Sequence, residues 1–91
     1  MAWQIKWDDR AVKEFKKLDK AAQKDIKNYL VGRVSAAKNP RDFGKPLKGN
    51  LSGLWRYRVA NYRLVCRIQD NELTVLVLRV AHRSRVYSHK T

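Results

Sequence analysis

At 91 residues, with 21 Lys plus Arg against 8 Asp plus Glu and a formal charge of +13, the chain is sized for a single domain over residues 1–91, with one modest core and no deep two-lobed cleft. An excess of cations this large attracts polyanions, and nucleic acid or the ribosome fits it better than an acidic protein alone. Cys66 stands alone, which excludes an internal disulfide and a Cys-rich metal site. The basic residues form no amphipathic helix with a bulky aromatic face, no apolar run approaches a membrane span, and the N-terminus shows no apolar signal segment, so a cytoplasmic protein without membrane contact is expected.

Residues 3–7 alternate, with Trp3, Ile5 and Trp7 on one side and Gln4 and Lys6 on the other, which predicts a short strand. Asp8 and Asp9 are placed to cap a helix over 9–18, where Val12, Phe15 and Leu18 recur at helical spacing. Asp19 is a second candidate cap, for a helix over 20–37 with the stripe Ala22, Ile26, Tyr29, Leu30, Val34 and Ala37. Gly32 weakens that helix, and Asn39-Pro40 ends it. Two helices so closely joined predict an antiparallel hairpin. Residues 38–52 contain Pro40, Gly44, Pro46 and Gly49, with Lys45 and Lys48 among them, and read as a basic loop.

From Gly53 onward the pattern predicts a three-stranded meander. Its strands run over 54–59, 62–69 and 73–80, with turns at Ala60-Asn61 and Asp70-Asn71. The apolar run 73–80 reads as a central strand covered on both faces, and residues 81–91 as a polar, basic tail. The fold class is therefore α+β. An N-terminal strand and a helical hairpin pack on one face of a small, mainly antiparallel sheet in the order β-α-α-β-β-β.

Register decides which cations meet. A two-residue turn at Ala60-Asn61 pairs Val59 with Tyr62, Arg58 with Arg63 and Trp55 with Cys66. Trp55, Tyr57, Val59, Tyr62, Leu64, Cys66 and Ile68 then face the helices. Arg56, Arg58, Arg63 and Arg67 face away, with Leu76 and Leu78 beside them. By parity with Leu78 and Val80, His82 is expected on the arginine face. Like charges opposite each other on neighbouring strands oppose folding, so a cluster of this kind fits a surface that receives phosphate.

Imidazole is the side chain best suited to proton transfer near neutrality, and Tyr87 offers a ring for stacking on a base. RNA is cleaved when its 2′-hydroxyl attacks the adjacent phosphate in line. Arginines would stabilise the charge of that transition state, and His82 would move a proton. No metal or other cofactor is implied, because the acidic residues form no ligand cluster and the two histidines lie apart without cysteine. Cys66 reads as a small core residue, and Trp3, Trp7 and Trp55 as core or interface residues.

Several segments together carry a resemblance. They are Asp8-Asp9-Arg10-Ala11-Val12-Lys13-Glu14-Phe15-Lys16-Lys17-Leu18, Leu47-Lys48-Gly49, Gly53-Leu54-Trp55-Arg56-Tyr57-Arg58-Val59, Asn61-Tyr62-Arg63-Leu64-Val65 and Val80-Ala81-His82-Arg83-Ser84-Arg85-Val86-Tyr87. Over nearly its whole length the chain resembles the RelE branch of the RelE/ParE toxin superfamily. The resemblance implies a ribosome-dependent endoribonuclease that cuts mRNA in the aminoacyl site and is neutralised by a cognate antitoxin, with operator DNA bound only through that antitoxin. By position, Arg63 matches the family arginine that stabilises the transition state, Arg83 the second catalytic arginine, and Tyr87 the tyrosine that stacks on the substrate base.

Arg56 and Arg58 stand where other members carry lysines, and the Arg83–Tyr87 segment is two residues shorter than in those members. Arginine does not give up its proton, so His82 is the candidate base in place of Arg58. Lys45, Lys48, Arg56, Arg58, Arg67 and Arg85 are expected to grip RNA. The alternatives are a ParE-like inhibitor of DNA gyrase and a non-catalytic protein that acts with its antitoxin at an operator.

Overall fold

The computed structural model describes residues 2–82. Strand β1 (Gln4–Trp7) leads into helix α1 (Asp9–Lys16) and helix α2 (Lys20–Tyr29). Both predicted caps form. The Asp8 carboxylate accepts from the Arg10 N–H, and the Asp19 carboxylate from the Ala22 N–H at 2.8 Å. The second helix is shorter than its apolar stripe predicts. It passes at Leu30–Val34 into a wider π turn, closed by the Ser35 N–H on the Leu30 carbonyl. Gly32 and the β-branched Val31 and Val34 give that segment a weak α preference.

The sheet holds five strands in the order β1-β5-β4-β3-β2. They are β2 (Lys45–Pro46), β3 (Trp55–Val59), β4 (Tyr62–Gln69) and β5 (Thr74–His82), with β1 parallel to β5 and the other pairs antiparallel. The predicted meander is β3-β4-β5, and the expected pairings of Val59 with Tyr62, Arg58 with Arg63 and Trp55 with Cys66 all form. Ala60 takes a left-handed φ of 53° in the turn between β3 and β4. The Asp70-Asn71 corner is a 3-10 turn over Asp70–Glu72.

One stretch read as loop is a strand. Lys45–Pro46 adds to the edge of β3 because Gly44, at φ +72°, brings the backbone against the Arg56 carbonyl and the Trp55 and Tyr57 rings. Three long-range hydrogen bonds hold the segment before it. Trp3 Nε1 donates to the Lys38 carbonyl, Tyr57 Oη to the Pro40 carbonyl at 2.8 Å, and Trp55 Nε1 to the Phe43 carbonyl at 2.6 Å.

The core lies between the helices and one face of the sheet. Ala11, Ile26, Leu30 and Val34 meet Tyr57, Val59, Leu64, Cys66, Val75, Val77 and Val80, all buried. Tyr29 packs against the Tyr57 ring at 6.0 Å, and Trp7 against Phe15 at 5.0 Å. Gln23 Nε2 donates to the Phe15 and Leu18 carbonyls and so ties α2 to the end of α1. Burial pushes the Tyr57 phenol and the Cys66 thiol well above their ordinary pKa values. β5 lies inside the sheet as predicted, but its cover is uneven, with Val75 and Val77 fully buried and Leu76 and Leu78 partly exposed. No helix among the described residues is long and apolar enough to cross a membrane.

Candidate nucleic-acid interface and active site

The face of the sheet turned away from the helices is basic. Residues paired across neighbouring strands project on the same side, so the register arranges the cations in rows. One row runs Lys45, Arg56, Val65, Arg79 across β2, β3, β4 and β5. The next runs Arg58, Arg63, Ala81. A third, nearer the other end, holds Arg67, Leu76 and Lys6. The sequence-predicted Lys45, Arg56, Arg58, Arg63 and Arg67 therefore share one face, with Leu76 among them as expected.

Their exposure differs. Arg58, Arg67 and Lys45 are exposed and Arg56 is half-buried. Arg63 is 1% exposed and is the largest of the fully buried side chains. Its guanidinium is enclosed, while those of Arg58 and Arg67 stand in solvent. Lys48 is exposed on the loop after β2, outside the sheet. Arg83, Arg85 and Tyr87 lie outside the described residues.

His82 is a correction. Simple alternation along β5 puts it on the arginine face, but the structure pairs it with Tyr62, on the side of the helices. The reason is a β-bulge. Cys66 pairs with Val77 and Val65 with Arg79, so Leu78 is an extra residue and the alternation changes phase there. Leu78 thus lies at the bulge and not in a regular arginine-face position. The bulge brings Val80 into the core against Leu64 and turns Arg79 and Ala81 to the basic face.

His82 nonetheless lines the same opening as that face. β1 ends at Trp7, opposite Val77, so among the described residues the last part of β5 has no strand on its outer side. A groove of about 640 Å³ wraps this end, lined by Tyr62 and His82 together with Val65, Arg79, Ala81, Lys17, Leu18 and Leu51. The His82 ring stands edge-on to Tyr62, with centroids 5.5 Å apart. Arg79 is clamped at the rim by Glu14 of α1, Nη2 to Oε2 at 2.8 Å.

Two further cations reach this face, Lys6 and Arg79, neither of which the sequence marked as a site residue. Lys6 was legible from the alternation of β1. Arg79 required the bulge, whose signal is the spacing of the core valines 75, 77 and 80, a step of two followed by a step of three. Elsewhere, a bidentate Arg41–Asp70 pair joins the segment after α2 to the β4–β5 corner. Hydrogen bonds from Arg41 hold the Asp70 carboxyl below its ordinary pKa. Among the described residues, no group of His, Cys, Asp and Glu side chains gathers into a metal-ligand set.

Over residues 5–87 the sequence matches the family described as ParE toxin of type II toxin-antitoxin system, parDE. The toxin RelG of Mycobacterium tuberculosis is 32% identical over 96% of this chain and 98% of its own length. The mRNA interferase toxin RelE of Escherichia coli is 32% identical over 97% of this chain and 93% of its own. A chain of the toxin–antitoxin complex RelBE2 from Mycobacterium tuberculosis has the same fold, with a TM-score of 0.82 and 31% identity over 91% of this chain and 100% of that one. With two helices on a five-stranded mixed sheet and relatives of this kind along its whole length, the chain belongs to the RelE/ParE family as a RelE-like toxin of a type II toxin–antitoxin system.

Proposed function

We propose that this toxin is a ribosome-dependent endoribonuclease that cleaves mRNA in the ribosomal aminoacyl site and so stops translation. The observation that carries the reading is the shared face, where the buried Arg63 stands among Lys45, Arg56, Arg58 and Arg67. Catalysis of phosphoryl chemistry is chiefly positioning and charge stabilisation, and guanidinium forks suit both tasks. The relative named mRNA interferase toxin RelE supports the same chemistry.

In the proposed step the 2′-oxygen attacks phosphorus and the bond to the 5′-oxygen breaks, leaving a cyclic phosphate and a 5′-hydroxyl. Arg63 and Arg83 stabilise the phosphate oxygens. His82 moves the proton, and Tyr87 stacks on the base. Lys45, Lys48, Arg56, Arg58, Arg67 and Arg85 hold the RNA backbone. Arginine stabilises charge but does not take protons, so a face built of arginines depends on the ribosome to hold the 2′-oxygen in line. A cognate antitoxin with acidic and apolar residues covers the basic face, and operator DNA is reached through it. One solved relative is a chain of a toxin–antitoxin complex, which supports that partner.

The test is mRNA cleavage with and without programmed ribosomes, with 5′ ends read by primer extension. Cuts at aminoacyl-site codons only when ribosomes are present are the expected result. A folded, toxic protein that yields no cuts in either mixture overturns the reading, and gyrase supercoiling is then the assay to run.

A further inference from the structure

β5 loses its outer neighbour partway along. β1 pairs with it only as far as Val77, yet the strand continues to His82. It does so just past a bulge, where a ladder is locally disrupted. A strand end in that position frays unless its outward backbone groups find partners. Here one side chain takes the place of the missing strand. The Glu14 carboxylate accepts the Val80 N–H at 2.7 Å, Arg79 Nε at 2.9 Å and Arg79 Nη2 at 2.8 Å. Glu14 is only partly exposed, while Lys13, Lys16 and Lys17 around it on α1 are open to solvent.

We propose that Glu14 is a positioning residue, which clamps the end of β5 so that His82 is held against Tyr62. The functional half of this inference rests on the reading of His82 given above. The clamp on β5 does not. Three features separate it from an ordinary surface ion pair. The carboxylate bonds a backbone N–H as well as a guanidinium, it lies on the last turn of a helix packed against β5, and its partner residues are two and three positions before His82. Hydrogen bonds with a charged partner are also about twice as strong as neutral ones.

The experiment compares Glu14→Ala, which removes both contacts, with Glu14→Gln, which keeps an acceptor for the Val80 N–H. Two readouts are taken. The first is amide exchange at Val80–His82 together with the His82 imidazole NMR signals, on the protein alone. The second is single-turnover cleavage on programmed ribosomes. In Glu14→Ala, exchange at Val80–His82 is expected to rise about tenfold or more while exchange at Leu64 and Cys66 stays unchanged, and the imidazole signals shift. The cleavage rate at saturating ribosomes falls about tenfold, with the half-saturating concentration within about twofold of wild type. Glu14→Gln recovers most of each effect.

Unchanged exchange and imidazole signals in Glu14→Ala overturn the proposal. So does an equal loss in both variants accompanied by faster exchange throughout β4. If Glu14→Ala does not fold, Glu14→Met, which keeps the length and helix preference but offers no strong acceptor, carries the same comparison with Glu14→Gln. If the wild-type toxin itself cleaves no mRNA, the functional reading fails, and the exchange and imidazole measurements still decide whether Glu14 positions the strand.

Discussion

Arg58 and Arg63 stand directly opposite each other across the β3–β4 ladder, with Arg58 exposed and Arg63 buried. Two cations in that relation cost stability, by up to ~1 kcal/mol on cross-strand scales. Arg58→Thr is therefore expected to raise the urea midpoint while weakening RNA binding. The salt dependence of binding should also flatten, since each lost phosphate contact removes about 0.7 from the slope of log K against log salt for a single strand. A lower midpoint with an unchanged salt slope would refute both parts.

Arg63 calls for a gentler substitution than alanine. Emptying the site of the largest fully buried side chain leaves a cavity, so loss of growth arrest in Arg63→Ala mixes unfolding with chemistry. Arg63→Lys keeps the charge and most of the volume but loses the fork. Cleavage is expected to fall about 100-fold or more, with the melting temperature lowered by only a few degrees. Full activity in a folded Arg63→Lys protein would remove Arg63 from the proposed mechanism.

Tyr57 supplies a pH dependence. Burial is the main cause that raises its phenol above the ordinary value. The unfolded chain thus releases this proton at lower pH than the folded one, and the protein loses stability as pH climbs past about 10. The buried Cys66 thiol, also raised, acts in the same direction. Urea midpoints measured from pH 8 to pH 11 should fall for wild type and fall less steeply for Tyr57→Phe. At neutral pH, Tyr57→Phe should cost about 1 kcal/mol through the lost bond to the Pro40 carbonyl.

Gly44→Ala should be among the most damaging small substitutions. Its φ is +72°, and a Cβ there would collide with the Arg56 carbonyl and crowd the Trp55 and Tyr57 rings. Strain of about 1–3 kcal/mol from the dihedral alone adds to the displacement of β2. A denaturation curve close to wild type would show that β2 is dispensable for holding Lys45 beside Arg56.

Most of the architecture was legible because periodicity and caps agreed. Asp8 and Asp19 cap where expected, the two-residue turn at Ala60-Asn61 forms, and it sets the whole β3–β4 pairing. Four features were not legible, each for a physical reason. β2 is too short to carry an alternation, and it depends on Gly44 and on tryptophan and tyrosine hydrogen bonds from residues far along the chain. The early end of α2 is hidden because the apolar stripe runs on through the π turn, with Leu30 and Val34 both buried. His82 was assigned by strict alternation, and the extra residue at Leu78 reverses that assignment. The burial of Arg63 was invisible too, because alternation reports which side a residue faces and not how deeply it is covered.

The sheet's two borders carry a consequence for the concentrated protein. Its outermost strands are four residues and two residues long, the shorter one being Lys45 and Pro46, while the longest and most apolar strands, β4 and β5, lie inside. Exposed strand edges are templates on which sheets grow from molecule to molecule, and short edges bearing lysine or proline resist this. Borders this short leave neighbouring copies little regular ladder to extend.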